Sequence, residues 1–364
     1  MTGLYIHIPF CLQKCPYCDF YSVAYDNSAA YAYADAVIRN VLHYNERYDT
    51  IYFGGGTPSA AWWDVCRIMG KLRFSELTEI TVEANPDTLT RDSLSAMRSS
   101  GVNRLSVGVQ SFSNAELGAI GRSHTSEDAQ NAIRFARESG FENISVDLML
   151  GIPHQTPASV RRSIKVLSGL DITHVSAYML KLEDGRSLAK MAGIPDENMT
   201  AQIYLAAADA LEKCGFVQYE VSNFAIPSFE CRHNLKYWKS HEYLGIGAAS
   251  HSYFGDERFC VASDVDEFVN SAVQNVVSID KEPVGFADYA MLKLRLTEGL
   301  SFAECAKFGV KKLDMLKRCK LVPPDYLKIS TEGVAITREG FLVSNQIIGK
   351  LTSKPIEQVI RNNE

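Results

Sequence analysis

Long apolar runs are missing from this sequence: no stretch approaches the roughly 20 apolar residues that a membrane-spanning helix needs. The opening residues, Met1 to Phe10, lack both the basic start and the extended apolar run of a secretion signal. A cytoplasmic protein is therefore expected. Positive charge is also in short supply, with 37 Lys and Arg against 43 Asp and Glu and a formal net charge of -6. Phosphate binding needs clustered positive charge, so nucleic acid is not expected as a main partner. Low-complexity tracts are absent, as are internal repeats beyond a strand–helix alternation. What remains is an ordinary globular composition, 46% hydrophobic over 364 residues, sufficient for a barrel-sized core and an appendage.

Cysteine is present in an informative way. The count is nine, which is odd, and Cys11, Cys15 and Cys18 crowd together as CxxxCxxC. In a reducing compartment such crowding points to metal binding or catalysis rather than to disulfides. The other six, Cys66, Cys214, Cys231, Cys260, Cys305 and Cys319, are scattered, and most read as buried thiols. Thiolates are the usual ligands of iron–sulfur clusters. Three cysteines on one tight loop would leave one iron of a [4Fe–4S] cube open to chelate the amino and carboxylate groups of S-adenosylmethionine (SAM). Reductive cleavage of that sulfonium is hard chemistry that a cofactor carries and a protein aims. A zinc site is the competing reading, with Cys15 and Cys18 as one ligand pair and Cys231 and His233 as another.

The pattern along the chain predicts short strands at 3–8, 50–53, 79–83, 103–109, 143–149 and 173–179. Helical periodicity fills the intervals at 28–44, 59–73, 89–100, 125–139 and 156–169. Six such units imply a parallel sheet and a partial (β/α)6 barrel within an α/β fold. The polar signatures GGGTP, Glu83, Gln110 and Asp147 fall at the carboxyl ends of strands, the end that carries the chemistry in βα barrels. Beyond 185 a helix at 199–213 and a strand at 216–222 lead into a polar, aromatic loop. From 285 onward, helices at 286–297, 301–308 and 310–318 and strands near 327–330 and 334–337 predict a small α+β winged-helix-like domain. The expected division is 1–185 for the cluster-binding barrel, 186–284 for its extension and 285–364 for the last domain.

The run Tyr5-Ile-His-Ile-Pro-Phe-Cys11, the CxxxCxxC triplet, Gly54-Gly-Gly-Thr-Pro58 and Asp147-Leu-Met-Leu-Gly-Ile-Pro153 resemble one radical-SAM family across essentially the whole chain. That family contains oxygen-independent coproporphyrinogen III oxidase and a related branch of haem chaperones. The resemblance implies that Tyr5, Gly55, Gly56, Thr57, Glu83, Gln110, Arg122, Asp147 and Ala177 contact SAM, and that Tyr17 packs near its adenine. It also implies an electron donor for the cluster. Independently, glycines at a strand end let backbone groups approach a ligand closely, although a glycine triplet also suits a plain turn.

Three features favour the haem-chaperone branch. The oxidases carry a further cysteine two residues after the triplet, where this chain has Asp19 and Phe20. The oxidases' N-terminal extension has no counterpart ahead of the first strand. The sequence His233-Asn234-Leu-Lys-Tyr237-Trp238 resembles the HNxxYW signature of the chaperones. Histidine is a common haem ligand and aromatic rings pack on macrocycles, so His233 is a candidate haem-binding residue, with His241, His251 and Cys231 as alternatives. His233, Tyr237 and Trp238 at helical spacing also suit a plain core. A haem-acceptor protein is the implied partner, and radical decarboxylation of coproporphyrinogen III is the alternative activity.

Overall fold

The computed structural model describes residues 2–180, 193–281 and 284–353. Six parallel strands, Thr2–Ile8, Tyr48–Gly55, Glu79–Ala84, Arg104–Gln110, Asn143–Leu150 and His174–Met179, lie side by side in chain order. Helices Asn27–Tyr44, Trp62–Met69, Arg91–Ser99, Ser126–Glu138 and Pro157–Leu167 alternate with them. This is the expected singly wound α/β arrangement. The helix expected over 59–73 is broken by a 3-10 turn at Pro58–Ala61 before Trp62–Met69. Several helices start at side-chain caps: Thr90, Thr125 and Thr156 each accept from the backbone N–H three residues on.

Alternation along the strands sorts the side chains by chemistry. Leu4, Ile6, Ile51, Phe53, Ile80, Val82, Leu105, Val107, Ile144, Val146 and Val175 are fully buried beneath the helices. The intervening positions, among them Tyr52, Glu83, Arg104, Ser106, Asp147 and Ser176, point to the opposite face, because successive strand residues alternate sides. The apolar face supplies the core, and the polar face forms the barrel interior.

The sheet is larger than the sequence pattern indicates, with twelve strands among the described residues. On one flank, Asn223–Ala225 and Val217–Gln218 add antiparallel to His174–Met179. On the other, Tyr243–Ile246 pairs parallel with the first strand and begins a meander through His251–Phe254, Glu257–Val261 and Val276–Asp280. The segment read from sequence as a polar, aromatic loop thus supplies Asn223–Ala225 as well as the four-strand meander, and the strand expected over 216–222 is only two residues long. The division expected at 185 falls within 181–192, outside the described residues.

The last part follows winged-helix order. Helices Phe286–Lys293, Phe302–Lys307 and Lys312–Cys319 precede the hairpin of Leu327–Ile329 and Gly333–Ile336, and Leu300–Ser301 adds a third strand. Helices Arg338–Phe341 and Ser344–Thr352 follow. Among the described residues no helix is long and apolar enough to cross a membrane.

Candidate functional site

A cavity of about 440 Å³ opens at the carboxyl ends of the parallel strands and reaches into the barrel interior. Its size suits a small-molecule cofactor. Cys11, Cys15 and Cys18 all line it, together with Tyr17, Gly55, Gly56, Thr57, Glu83, Gln110, Arg122 and Asp147. Eleven of the fourteen residues expected to hold a cluster, SAM or haem therefore share one cavity; Tyr5, Ala177 and His233 do not line it.

The cysteine loop is fastened to the barrel by backbone bonds. Gly56 N–H donates to Ile8 O and Thr57 N–H to Phe10 O, both at 2.8 Å. A Cβ at Gly56 would sit 2.8 Å from Phe10 O, and one at Gly55 would sit 2.6 Å from the His7 imidazole. Gly55 also has φ +114°, a conformation that side chains disfavour. The glycines expected to admit a ligand therefore first admit the chain's own cysteine-bearing segment. Thr57 Oγ1 donates to Cys11 Sγ at 3.5 Å, and Arg122 Nη1 reaches Cys15 Sγ at 3.5 Å. Burial raises the Cys18 thiol above its ordinary value.

Glu83 is the central carboxylate. It accepts from Tyr52 Oη at 2.8 Å and from Gly55 N–H at 3.1 Å. Burial, with Asp147 nearby, outweighs those donors and the Arg104 guanidinium and raises its pKa to about 7. Asp147 is also raised by burial, while accepting from Ser106 Oγ at 3.1 Å. Arg122 is held by Asn85 Oδ1 at 2.8 Å and Gly108 O at 2.7 Å, with Tyr17 Oη 3.4 Å away. Gln110 adopts φ +67° at the end of its strand, where the register with Asn143–Leu150 shifts.

Three expected residues fall elsewhere for identifiable reasons. Ala177 is one residue out of phase with the interior face; it is buried, and its N–H donates to Ser222 O. Ser176 and Tyr178 line the cavity in its place. Tyr5 faces the interior, but its ring stacks on Tyr52 and its hydroxyl meets His7 Nδ1 at 3.1 Å. His233 is fully buried at the amino ends of the strands. Its Nδ1 bonds Thr50 Oγ1 at 2.9 Å, its Nε2 bonds Tyr237 Oη at 2.8 Å, and its ring stacks on Tyr52. Both nitrogens are engaged in this conformation, so the structure does not bring His233 to the cavity as the motif led one to expect.

The HNxxYW segment is helical, Arg232–Trp238, and forms the barrel floor. Glu79 accepts from the N–H groups of Arg232 and His233 at 3.1 and 3.0 Å, and Lys236 Nζ meets the Asp49 carboxylate at 2.9 Å. Asn234, one turn position away from His233, lines the cavity from below. Asn234 belongs to HNxxYW but was not expected to border this cavity; Arg104, Ser106, Asn85 and Tyr178 belong to no motif, and strand alternation marks Arg104, Ser106 and Tyr178 as interior. Cys231 lies beside Glu79 at this floor, whereas Cys15 and Cys18 stand at the opposite ends of the strands. A zinc site joining the two pairs is therefore excluded.

A parallel singly wound sheet with a three-cysteine loop at its carboxyl end, above a glycine-bordered polar cavity, is the arrangement of a radical SAM protein. The Radical SAM superfamily matches residues 5–167. The chain is 33% identical to the heme chaperone HemW of Lactococcus lactis, covering 96% of this chain and 97% of that protein. It is 33% identical to the Bacillus subtilis HemW over 96% and 98%, and 35% identical to that of Escherichia coli over 68% and 69%. The chain belongs to the HemW family. Its fold is that of Escherichia coli coproporphyrinogen III oxidase (HemN), with a TM-score of 0.80 at 21% identity, covering 97% of this chain and 90% of that one.

Proposed function

We propose that this protein is a haem chaperone that binds haem and a SAM-ligated [4Fe–4S] cluster and passes the haem to an acceptor protein. The observation that carries this reading is the end-to-end relationship to curated heme chaperones at 33% identity. Cys11, Cys15 and Cys18 would hold the cluster: three soft sulfur donors on one loop, beside a cavity of cofactor size, fit it. The bound cluster would supply an electron to SAM. Glu83 and the Gly55–Thr57 loop would receive the SAM amino group, while Gln110, Arg122, Asp147 and Tyr17 would border the rest of the molecule. The chain would divide into a cluster-binding part to 185, a part from 186 to 284 carrying HNxxYW, and a winged-helix part from 285. It would work in the cytoplasm, drawing on an electron donor.

Decarboxylation of coproporphyrinogen III is the activity that this reading rejects. The test is a paired assay on anaerobically reconstituted protein: transfer of haem to an apo-haemoprotein, and conversion of coproporphyrinogen III with SAM and a strong reductant. Haem transfer without conversion is expected. Efficient conversion would establish the oxidase instead.

A further inference from the structure

A second cavity, about 370 Å³, opens where the end of helix Arg232–Trp238 meets helix Phe286–Lys293. None of its lining residues belongs to the cysteine-lined cavity. Its walls include Tyr237, Tyr243, Tyr253, His241, Arg258 and Met291. The rings of Tyr237 and Tyr243 meet edge-on with centroids 4.5 Å apart, and Tyr253 stands opposite Tyr243 across an antiparallel strand pair. Arg258 lies over the Tyr253 ring at 5.6 Å and pairs with Asp280 at 2.9 Å. The Met291 side chain is exposed.

We propose that this cleft is the haem site, in which His241 would ligate the iron, Met291 would contact the macrocycle and Arg258 would meet its carboxylates. The proposal rests on the haem-chaperone reading and locates the site within it. The chemistry is a matched set: aromatic walls and a thioether for an apolar disc, an imidazole of the kind that ligates haem iron, and a guanidinium for carboxylates.

The other candidates fall away by placement. His233 has both nitrogens engaged, and burial pushes the Cys231 thiol up to about 12, against forming a thiolate. His251 is exposed and lines neither cavity. The HNxxYW motif then serves haem through Tyr237, whose ring walls the cleft while its hydroxyl holds His233. An exposed cleft at the junction with the winged-helix part also suits a cargo that must leave again.

The test is titration of ferric haem into cluster-loaded wild-type, His241→Ala, Met291→Glu and His251→Ala proteins, read by the Soret band. Wild type and His251→Ala are expected to bind alike. His241→Ala should lose at least about tenfold in affinity and shift the band, the size of one lost metal–ligand interaction of about 1.4 kcal/mol. Met291→Glu should also weaken binding, because it places a carboxylate against the macrocycle. Both lie at exposed positions, and unchanged SAM affinity in the same samples establishes that they are folded. Wild type that binds no haem would overturn the chaperone reading and this site together. Haem bound equally by wild type and His241→Ala would overturn this site alone.

Discussion

The His233 imidazole and the Thr50 hydroxyl meet at 2.9 Å in the interior of the barrel, on the side away from the cysteine loop. This contact defines what the HNxxYW segment does in the fold. His233 stacks on Tyr52, Tyr52 donates to Glu83, and Glu83 accepts from Gly55 N–H on the loop that fastens the cysteine segment. A residue type that suggests an iron ligand is therefore a support beneath the proposed SAM site. Burial, together with Lys236 and Arg104, lowers the His233 pKa to about 3, so the ring is neutral at physiological pH.

Replacing His233 with Ala removes a buried ring and strands the hydroxyls of Thr50 and Tyr237. The expected cost is about 3 kcal/mol in stability, from the cavity and the unpaired groups. SAM affinity should drop by up to about tenfold as Tyr52 loses the ring it stacks on, a change of about 1.4 kcal/mol. Haem affinity should hold. Thermal denaturation and paired titrations check this; lost haem binding with intact SAM binding would restore His233 as a ligand.

With Glu83 as the proposed partner of the SAM amino group, SAM binding should depend on pH. Its pKa of about 7 lies above the ordinary carboxylate value, so much of the unliganded population is protonated at neutral pH. The SAM ammonium group favours the ionised form. Affinity should therefore rise as pH increases through about 7 and fall by up to tenfold per unit below it. Glu83→Gln cannot ionise and should flatten that dependence while retaining iron. A profile unchanged in Glu83→Gln would assign the titration to another group.

How much of this was legible in the sequence depended on range. The parallel strands could be read because each carries its own alternation, and Ile51, Phe53, Ile80 and Val82 mark their buried face directly. The strand Tyr243–Ile246 was not, because its partner is the first strand, more than two hundred residues away, and nothing local reveals that pairing. Val276–Asp280 escaped notice for another reason: four of its five residues are exposed, so no buried face organises its pattern. The cysteine spacing located one wall of the cavity. The depth of His233 was invisible, since a motif records residue identity and not which end of a barrel it occupies.

Cluster ligation by the triplet makes a sharper demand than the presence of iron. Cys15→Ala, reconstituted anaerobically, should carry far fewer than the four irons of a complete cube. Iron and acid-labile sulfide assays report it. Full loading in that variant would remove Cys15 from the ligand set, and stoichiometric zinc in freshly purified wild type would point to a different metal altogether.

Gly55 tests whether the loop's geometry is as demanding as its position indicates. An added methyl would meet the His7 imidazole at 2.6 Å, on a backbone at φ +114°. His7 has little room to yield, because its Nε2 is bonded to Tyr21 O at 3.0 Å and its Nδ1 to Tyr5. A carbonyl cannot donate, so Nε2 carries the proton and Nδ1 accepts from the tyrosine; displacing the ring breaks both bonds. Gly55→Ala should therefore destabilise the protein by about 2 kcal/mol or more, from backbone strain and lost hydrogen bonds. The neighbouring bonds Gly56–Ile8 and Thr57–Phe10 fasten the segment that leads into Cys11, so cluster loading should fall with it. Gly118 is the internal comparison: it is helical, and an added Cβ would meet nothing within 4 Å. Gly118→Ala should be neutral or stabilising by about 0.5–1 kcal/mol, with full cluster content. If the two alanines behave alike in thermal unfolding and iron content, the close approach of the glycine loop to the cysteine segment is not what holds the cluster site in shape.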